Sequence, residues 1–250
     1  VKSQTVIIDS ELIAKDRSET HGKFSTNAVL YCVAREKQVK SVLKPDGCYF
    51  KEEVALTGAP RFDFYSEERE KLIVLKPHRI GTETDETFKK SKTFNFWNDL
   101  ISSKKLQFAM LRYGYKGVLC LPEEYKAFKD SFAENRYFRI SDEYTFKGSL
   151  LVTDFYPGFE YAYNEKPVIY AHFISAEDFY ELNPHRRGMF NFKNSGFGKV
   201  CHSGEASDEI ISLMKQKAVM PDEYKERTDA FFSFKDKNNC QRVYDEMMKL

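Results

Sequence analysis

Leu150-Leu151-Val152-Thr153-Asp154-Phe155-Tyr156-Pro157-Gly158 runs from an apolar stretch into two polar residues and a Pro-Gly turn, and Phe159-Glu160-Tyr161-Ala162-Tyr163 follows with helical composition. A short run without polar alternation is how a strand buried on both faces reads. A turn and a helix directly after it make the repeating unit of a parallel sheet. Upstream, Leu72-Ile73-Val74-Leu75 ends in Lys76-Pro77-His78-Arg79 in the same manner. Working outward, further strand candidates are Thr5–Asp9, Ala28–Val33, Val54–Thr57, Gly117–Leu121 and Pro167–Ala171. Helix candidates are Arg35–Leu43, Thr84–Ser102, Glu123–Glu134, Gly158–Asn164, Asp208–Met214, Pro221–Phe232 and Asn239–Lys249. The alternation reads as α/β, a Rossmann-like parallel sheet with helices on both faces.

Thr57-Gly58-Ala59-Pro60 is the one punctuation strong enough to end a unit. The expected organisation is therefore residues 1–57 as the end of a first Rossmann-like half and 58–250 as a second. The chain opens on Val1 and reaches Val6-Ile7-Ile8 at once, which reads as a start inside a longer polypeptide.

The 250 residues are 42% hydrophobic, enough for a core without disulfides or a structural metal. Lys plus Arg number 39 against 38 Asp plus Glu, a net charge of +1 that argues against a nucleic-acid partner. Cys32, Cys48, Cys120, Cys201 and Cys240 are scattered and odd in number, the usage of reduced thiols in a cytoplasmic protein. His172, His185 and His202 have no metal-ligating spacing, and neither metal nor cofactor is expected. No apolar run has the length of a membrane span, and no signal-peptide pattern opens the chain. Lys215, Lys217, Lys225, Arg227, Lys235 and Lys237 interleave with Phe231, Phe232 and Phe234. Such a segment either packs its rings onto the sheet, the reading we prefer, or lies on an anionic lipid surface.

Chemistry concentrates at two strand ends. In open α/β sheets ligands bind beyond the carboxyl ends of strands, where a helix N-terminus offers free N–H groups to a phosphate. Thr153 and Asp154 suit that role, but from spacing alone the ordinary role of N-cap residues is the reading we prefer. Lys76, His78 and Arg79 around Pro77 read either as phosphate ligands or as a solvated basic loop. Arg61 and Asp63 can form a local surface ion pair of under about 1 kcal/mol.

Four longer strings carry a family resemblance. Glu53-Val54-Ala55-Leu56-Thr57-Gly58-Ala59-Pro60-Arg61-Phe62-Asp63 resembles the TGxPRxD signature of the CDP-glycerol:poly(glycerophosphate) glycerophosphotransferases, which build teichoic acids and capsule polymers. Val152-Thr153-Asp154-Phe155, Phe159-Glu160-Tyr161-Ala162-Tyr163 and Lys166-Pro167-Val168-Ile169-Tyr170 are similar to that family's TDYSS, FDFA and KKPVI segment. Arg187-Gly188-Met189-Phe190-Asn191-Phe192 resembles RGxYFDF, and Asp236–Val243 resembles the closing DGxASERI. Their order along the chain is the family's order.

The resemblance implies a GT-B-type transferase, two Rossmann-like halves with the donor held mainly by the second. It implies that Arg61 faces the donor phosphates, that Asp63 shares its signature, and that Pro77, His78 and Arg79 form a phosphate loop written PTxR in the family. Thr153 and Asp154 then lie at the diphosphate turn, and Glu160 replaces a ligand-side aspartate. The implied donor is a CDP-activated polyol and the acceptor a polysaccharide or lipid-linked chain. The implied location is the cytoplasm, at the inner face of the cell membrane. The sequence also departs from the family. Tyr156-Pro157 stands where the family has two serines, Cys120-Leu121-Pro122 lacks the histidine of LHP, and no threonine follows Pro77. His21-Gly22 is the local candidate for the family's HGxP general base, and a histidine in a polar surface loop explains the same residues. The departures leave a second reading open, a degenerate binding or scaffold domain. A third reading, a nucleotide-sugar glycosyltransferase, has the same architecture.

Overall fold

The computed structural model describes residues 4–9, 12, 23–43, 49–78, 85–132, 135–188, 190–202 and 204–250. His21, Arg79 and Cys48 lie outside them. Two compact units emerge, Val1–Tyr65 with Thr228–Leu250, and Ser66–Arg227. The sequence reading placed a single cut near residue 58, whereas the contacts divide after Tyr65 and return the C-terminal segment to the first unit.

In the first unit β1 (Thr5–Asp9), β2 (Ala28–Val33) and β3 (Val54–Leu56) form a parallel sheet in that order. Helix α1 (Glu36–Val42) brings Val39 and Val42 to a cluster around Tyr31, Val33 and Tyr49. A C-terminal helix, Asn239–Met247, brings Val243 to a second cluster with Leu30 and Cys32. The Phe-rich stretch is used up inside this unit. Phe232 meets Phe62 edge-on at 5.5 Å, the Arg35 guanidinium covers Phe231 at 3.5 Å, and Arg242 covers Phe234 at 3.7 Å.

The second unit holds six parallel strands, β4 (Glu70–Lys76), β5 (Lys116–Cys120), β6 (Phe138–Ser141), β7 (Gly148–Thr153), β8 (Val168–His172) and β9 (Gly198–His202), in the spatial order β6-β5-β4-β7-β8-β9. Counted within the unit this is 3-2-1-4-5-6, the doubly wound order, so the winding reverses between β4 and β7. One face is covered by α2 (Lys92–Ser102), α3 (Lys104–Tyr113) and α5 (Glu205–Lys215), while α4 (Phe159–Tyr163) joins β7 to β8. Trp97, Ile101, Leu106, Met110 and Ile210 are fully buried against Ile73, Leu75, Leu150 and Ile169. Each such side chain contributes about 1.5–3 kcal/mol of transfer free energy. The C-terminal helix of the first unit, Asn239–Met247, is α6.

The expected helix Thr84–Ser102 is broken. Asp85–Phe88 ends before Ser91, whose hydroxyl accepts the Phe94 N–H at 3.1 Å and starts α2 afresh. Ser103 does the same for α3 by accepting from Leu106 N–H at 3.3 Å, and Gly114 at φ +74° terminates it. The sequence reading had no helix there. It also lacked β6 and β9, whose Phe-Arg-Ile-Ser and Gly-Lys-Val-Cys-His carry too few apolar residues to stand out. Glu123–Ser131 is a 3₁₀ segment rather than an α-helix. Among the described residues no helix is long and apolar enough to cross a membrane.

Candidate functional site

The reversal between β4 and β7 aligns their carboxyl ends. Lys76 pairs with Thr153 in register, so the residues that follow each strand, Pro77-His78 and Asp154-Phe155, emerge side by side. The Thr153 hydroxyl donates to the Lys76 carbonyl at 2.9 Å and is completely buried. Asp154, also completely buried, accepts from the His78 backbone N–H at 2.7 Å and from the Phe155 N–H at 2.6 Å. Neither residue caps a helix. The N-cap of α4 is Gly158 at φ +70°, and α4 has only 5 residues, too few for a strong dipole at a phosphate. The Thr-Asp pair instead ties the β4 loop to β7.

Desolvation dominates the electrostatics. It pushes the Asp154 carboxyl up to about 7 despite the two N–H donors and the Arg186 charge that pull it down. It holds His78 down at about 3, with the charges of Arg186 and Lys76 adding to the effect, so the imidazole is neutral near pH 7. His78 Nδ1 lies 3.9 Å from Asp154 Oδ1 and is buried without a hydrogen-bond partner. His172, at the end of β8, is lowered to about 4 chiefly by burial. Burial pushes the Cys120 thiol up to about 11, which removes it as a nucleophile at neutral pH.

Tyr156, where a serine was expected from the resemblance, stacks on the His78 ring at 5.5 Å and 16°. Its hydroxyl donates to Glu160 Oε1, leaving the buried Glu160 Oε2 unpartnered. Lys76 Nζ stands 3.8 Å from the Tyr156 ring and 3.9 Å from Tyr144. The Lys76-Pro77-His78 segment is thus no solvated loop, since Pro77 is buried and its two neighbours are half-buried. Sequence reasoning reached Lys76 as part of the basic loop but passed over Tyr144 and Arg186. Tyr144 lies in a loop without regular pattern, and Arg186 sits one residue before the arginine that the family string singled out.

The remaining expected residues belong to the first unit. Asp63 spends both oxygens on the start of α6: Oδ1 accepts from Asn239 N–H at 3.2 Å and Nδ2 at 2.7 Å, and Oδ2 from Cys240 N–H at 2.7 Å. It is therefore engaged in capping and not in an ion pair with Arg61. Arg61 lies 5.0 Å over the Phe62 ring, and its Nε is buried without a partner.

Comparison with known proteins adds relatives of two kinds. The "Minor teichoic acid biosynthesis protein GgaB" of Bacillus subtilis (strain 168) is 27% identical over 266 aligned residues. That alignment takes in 98% of this chain and 29% of GgaB, so the chain spans less than a third of its relative's length. Two solved structures of the spinosyn rhamnosyltransferase SpnG, with thymidine diphosphate and with spinosyn aglycone, each cover 89% of this chain and 57% of theirs. They do so at 11% and 12% identity with a TM-score of 0.36, too distant to carry an argument. The family match, by contrast, takes in β2 and β3 of the first unit and every strand of the second, with the rim of β4 and β7. With residues 10–249 matched, the chain belongs to the CDP-Glycerol:Poly(glycerophosphate) glycerophosphotransferase family.

Proposed function

We propose that this chain supplies the donor-binding part of a transferase that moves a polyol phosphate from a CDP-alditol such as CDP-glycerol. The recipient is a hydroxyl of a cell-surface polymer or lipid-linked acceptor, in teichoic acid or capsular polysaccharide synthesis. One observation carries this reading: Lys76, Pro77 and His78 stand against Thr153 and Asp154 at the switch point of a doubly wound sheet. Open α/β sheets bind their ligands at that crevice. Family membership and the teichoic acid relative support the choice of donor.

In the reaction so read, the acceptor oxygen forms a bond to the donor's β-phosphorus while the bridge to the α-phosphate breaks, and CMP leaves. The acceptor's proton passes to a base, for which His21, outside the described residues, is the candidate. Such chemistry depends on positioning and on neutralising phosphate charge. Asp154 fixes the His78 loop, and the open Oε2 of Glu160 is available to a donor hydroxyl. We further take the unit that carries residues 1–57 as the remnant first half, and the unit Ser66–Arg227 as the core of the second half, of a GT-B plan. A lipid-linked acceptor sets the work at the cytoplasmic face of the membrane.

Calorimetric titration tests the reading. CDP binds at micromolar concentration, more tightly than UDP or dTDP, and His78→Ala weakens it by roughly ten-fold. Arg61→Ala tests the phosphate-facing role that the resemblance implies. Equal affinity for all nucleotides overturns the choice of donor. The scaffold reading also has an observation in its favour, the Tyr156 ring lying over His78 and Lys76. It predicts a well-folded chain that binds no nucleotide. Hydrolysis of CDP-glycerol, CDP-ribitol and UDP-sugars, measured side by side, ranks the donors.

A further inference from the structure

Lys76 is the last residue of β4, and its ammonium is held between two aromatic faces, 3.9 Å from the Tyr144 ring and 3.8 Å from the Tyr156 ring. A lysine at a strand end ordinarily extends its head group into water. This one is half-buried, and among the described residues no hydrogen-bond acceptor serves its Nζ. The carboxylates whose charge reaches it make no hydrogen bond to it. Asp154 accepts the N–H groups of His78 and Phe155, and Glu160 Oε1 accepts the Tyr156 hydroxyl.

Unspent polar atoms collect around this cation. The Tyr144 hydroxyl, Glu160 Oε2 and His78 Nδ1 are all buried and unpartnered. A native interior leaves few such groups, and several at one rim mark a candidate ligand site. The cage offsets part of the cost of desolvating the ammonium, yet satisfies none of its three N–H donors. Arg186 adds positive potential at His78 and Asp154. The Lys76 ammonium and the Arg186 charge suit an anion rich in acceptor oxygens, while Glu160 Oε2 suits a hydroxyl carried by the same ligand.

We infer that Lys76, held in the Tyr144–Tyr156 cage, is the principal cation for a diphosphate bound at the carboxyl rim of β4 and β7. The identity of that anion rests on the donor reading above; the site itself rests on the cage and its unpartnered atoms. Lys76 binds the anion directly, and Tyr144 and Tyr156 hold its ammonium in place.

Inorganic pyrophosphate and CDP are titrated into the wild-type chain, Lys76→Met and Lys76→Arg, each first checked by its thermal midpoint. Pyrophosphate affinity falls more than ten-fold in Lys76→Met and stays within about three-fold in Lys76→Arg. A labelling experiment needs no variant: with acetic anhydride and mass spectrometry, pyrophosphate protects Lys76 and leaves the exposed Lys71 unprotected. If Lys76→Met binds both ligands as the wild type does, or Lys76 gains no protection, the inference is overturned while the donor reading stands. Lys76-dependent pyrophosphate binding with no preference for CDP upholds the anion site and removes the CDP donor. Binding of neither ligand by the folded wild type overturns both.

Discussion

Asp154 shows how desolvation and hydrogen bonding compete at a single carboxyl. Two backbone N–H donors favour the ionised form, burial opposes it, and burial prevails, raising the pKa from 3.8 to about 7. A raised carboxyl stabilises the fold fully below pH 3.8, and that contribution is lost as pH rises through 7. His78, lowered from 6.5 to about 3, runs the other way: its contribution is present above pH 6.5 and is lost as pH falls toward 3. At about 1.4 kcal/mol per unit, each effect amounts to a few kcal/mol. Urea denaturation from pH 4 to 8 is expected to show the stability advantage of wild type over Asp154→Asn shrinking as pH rises. A constant difference would mean the carboxyl titrates as it does in the unfolded chain. Gly58 is limited by space as well as conformation. Its φ is +78°, and a Cβ there would stand 1.8 Å from Asn239 Oδ1. Gly58→Ala should cost more than about 2 kcal/mol in the same assay.

At the scale of elements, two family strings that read as separate motifs form one joint. Asp63, from the TGxPRxD-like string, caps α6, which begins in the closing string at Asn239 and Cys240. Asp63→Ala frees those amides and should destabilise the first unit by about 2 kcal/mol, measured as a shift in urea midpoint. Lys166, in the KPVI-like string, is likewise a fastener. It is 1% exposed and donates to the carbonyls of Ser66, Glu68 and Phe146 at 3.0, 2.6 and 2.6 Å. Lys166→Met strands three carbonyls, and a loss of roughly 3 kcal/mol is expected with no direct effect on pyrophosphate binding. Strands with continuous apolar runs were legible from sequence to within a residue or two. β6 and β9 were not, because edge-proximal strands bury fewer positions and their polar residues hide the pattern. The break at Ser91 is written in the sequence as an N-cap serine inside a stretch read as one helix, and Ser103 marks the start of a helix that the reading lacks altogether.

For the whole molecule, a net charge of +1 means that any anion selectivity comes from local cations rather than a global field. The two sheets also differ in burial. β4, β7 and β8 carry Val74, Leu151, Val152 and Ile169 at 0% exposure, whereas all of β3 is only half-buried. Amide hydrogen exchange should therefore be slowest in β4, β7 and β8 and measurably faster in β3. Equal protection in both sheets would contradict that ranking.

Composition and local pattern by themselves determined the α/β class, most strands and the strings that name the family, since strand periodicity and turn chemistry are properties of neighbouring residues. Only the tertiary structure decided the strand order, the return of the C-terminal helix to the first unit, and the roles of Asp63, Thr153 and Asp154 as ties. It alone brought Lys76, Tyr144, Tyr156 and Glu160 to one rim, because the groups that meet at a switch point come from segments whose separation in the chain carries no record of their contact.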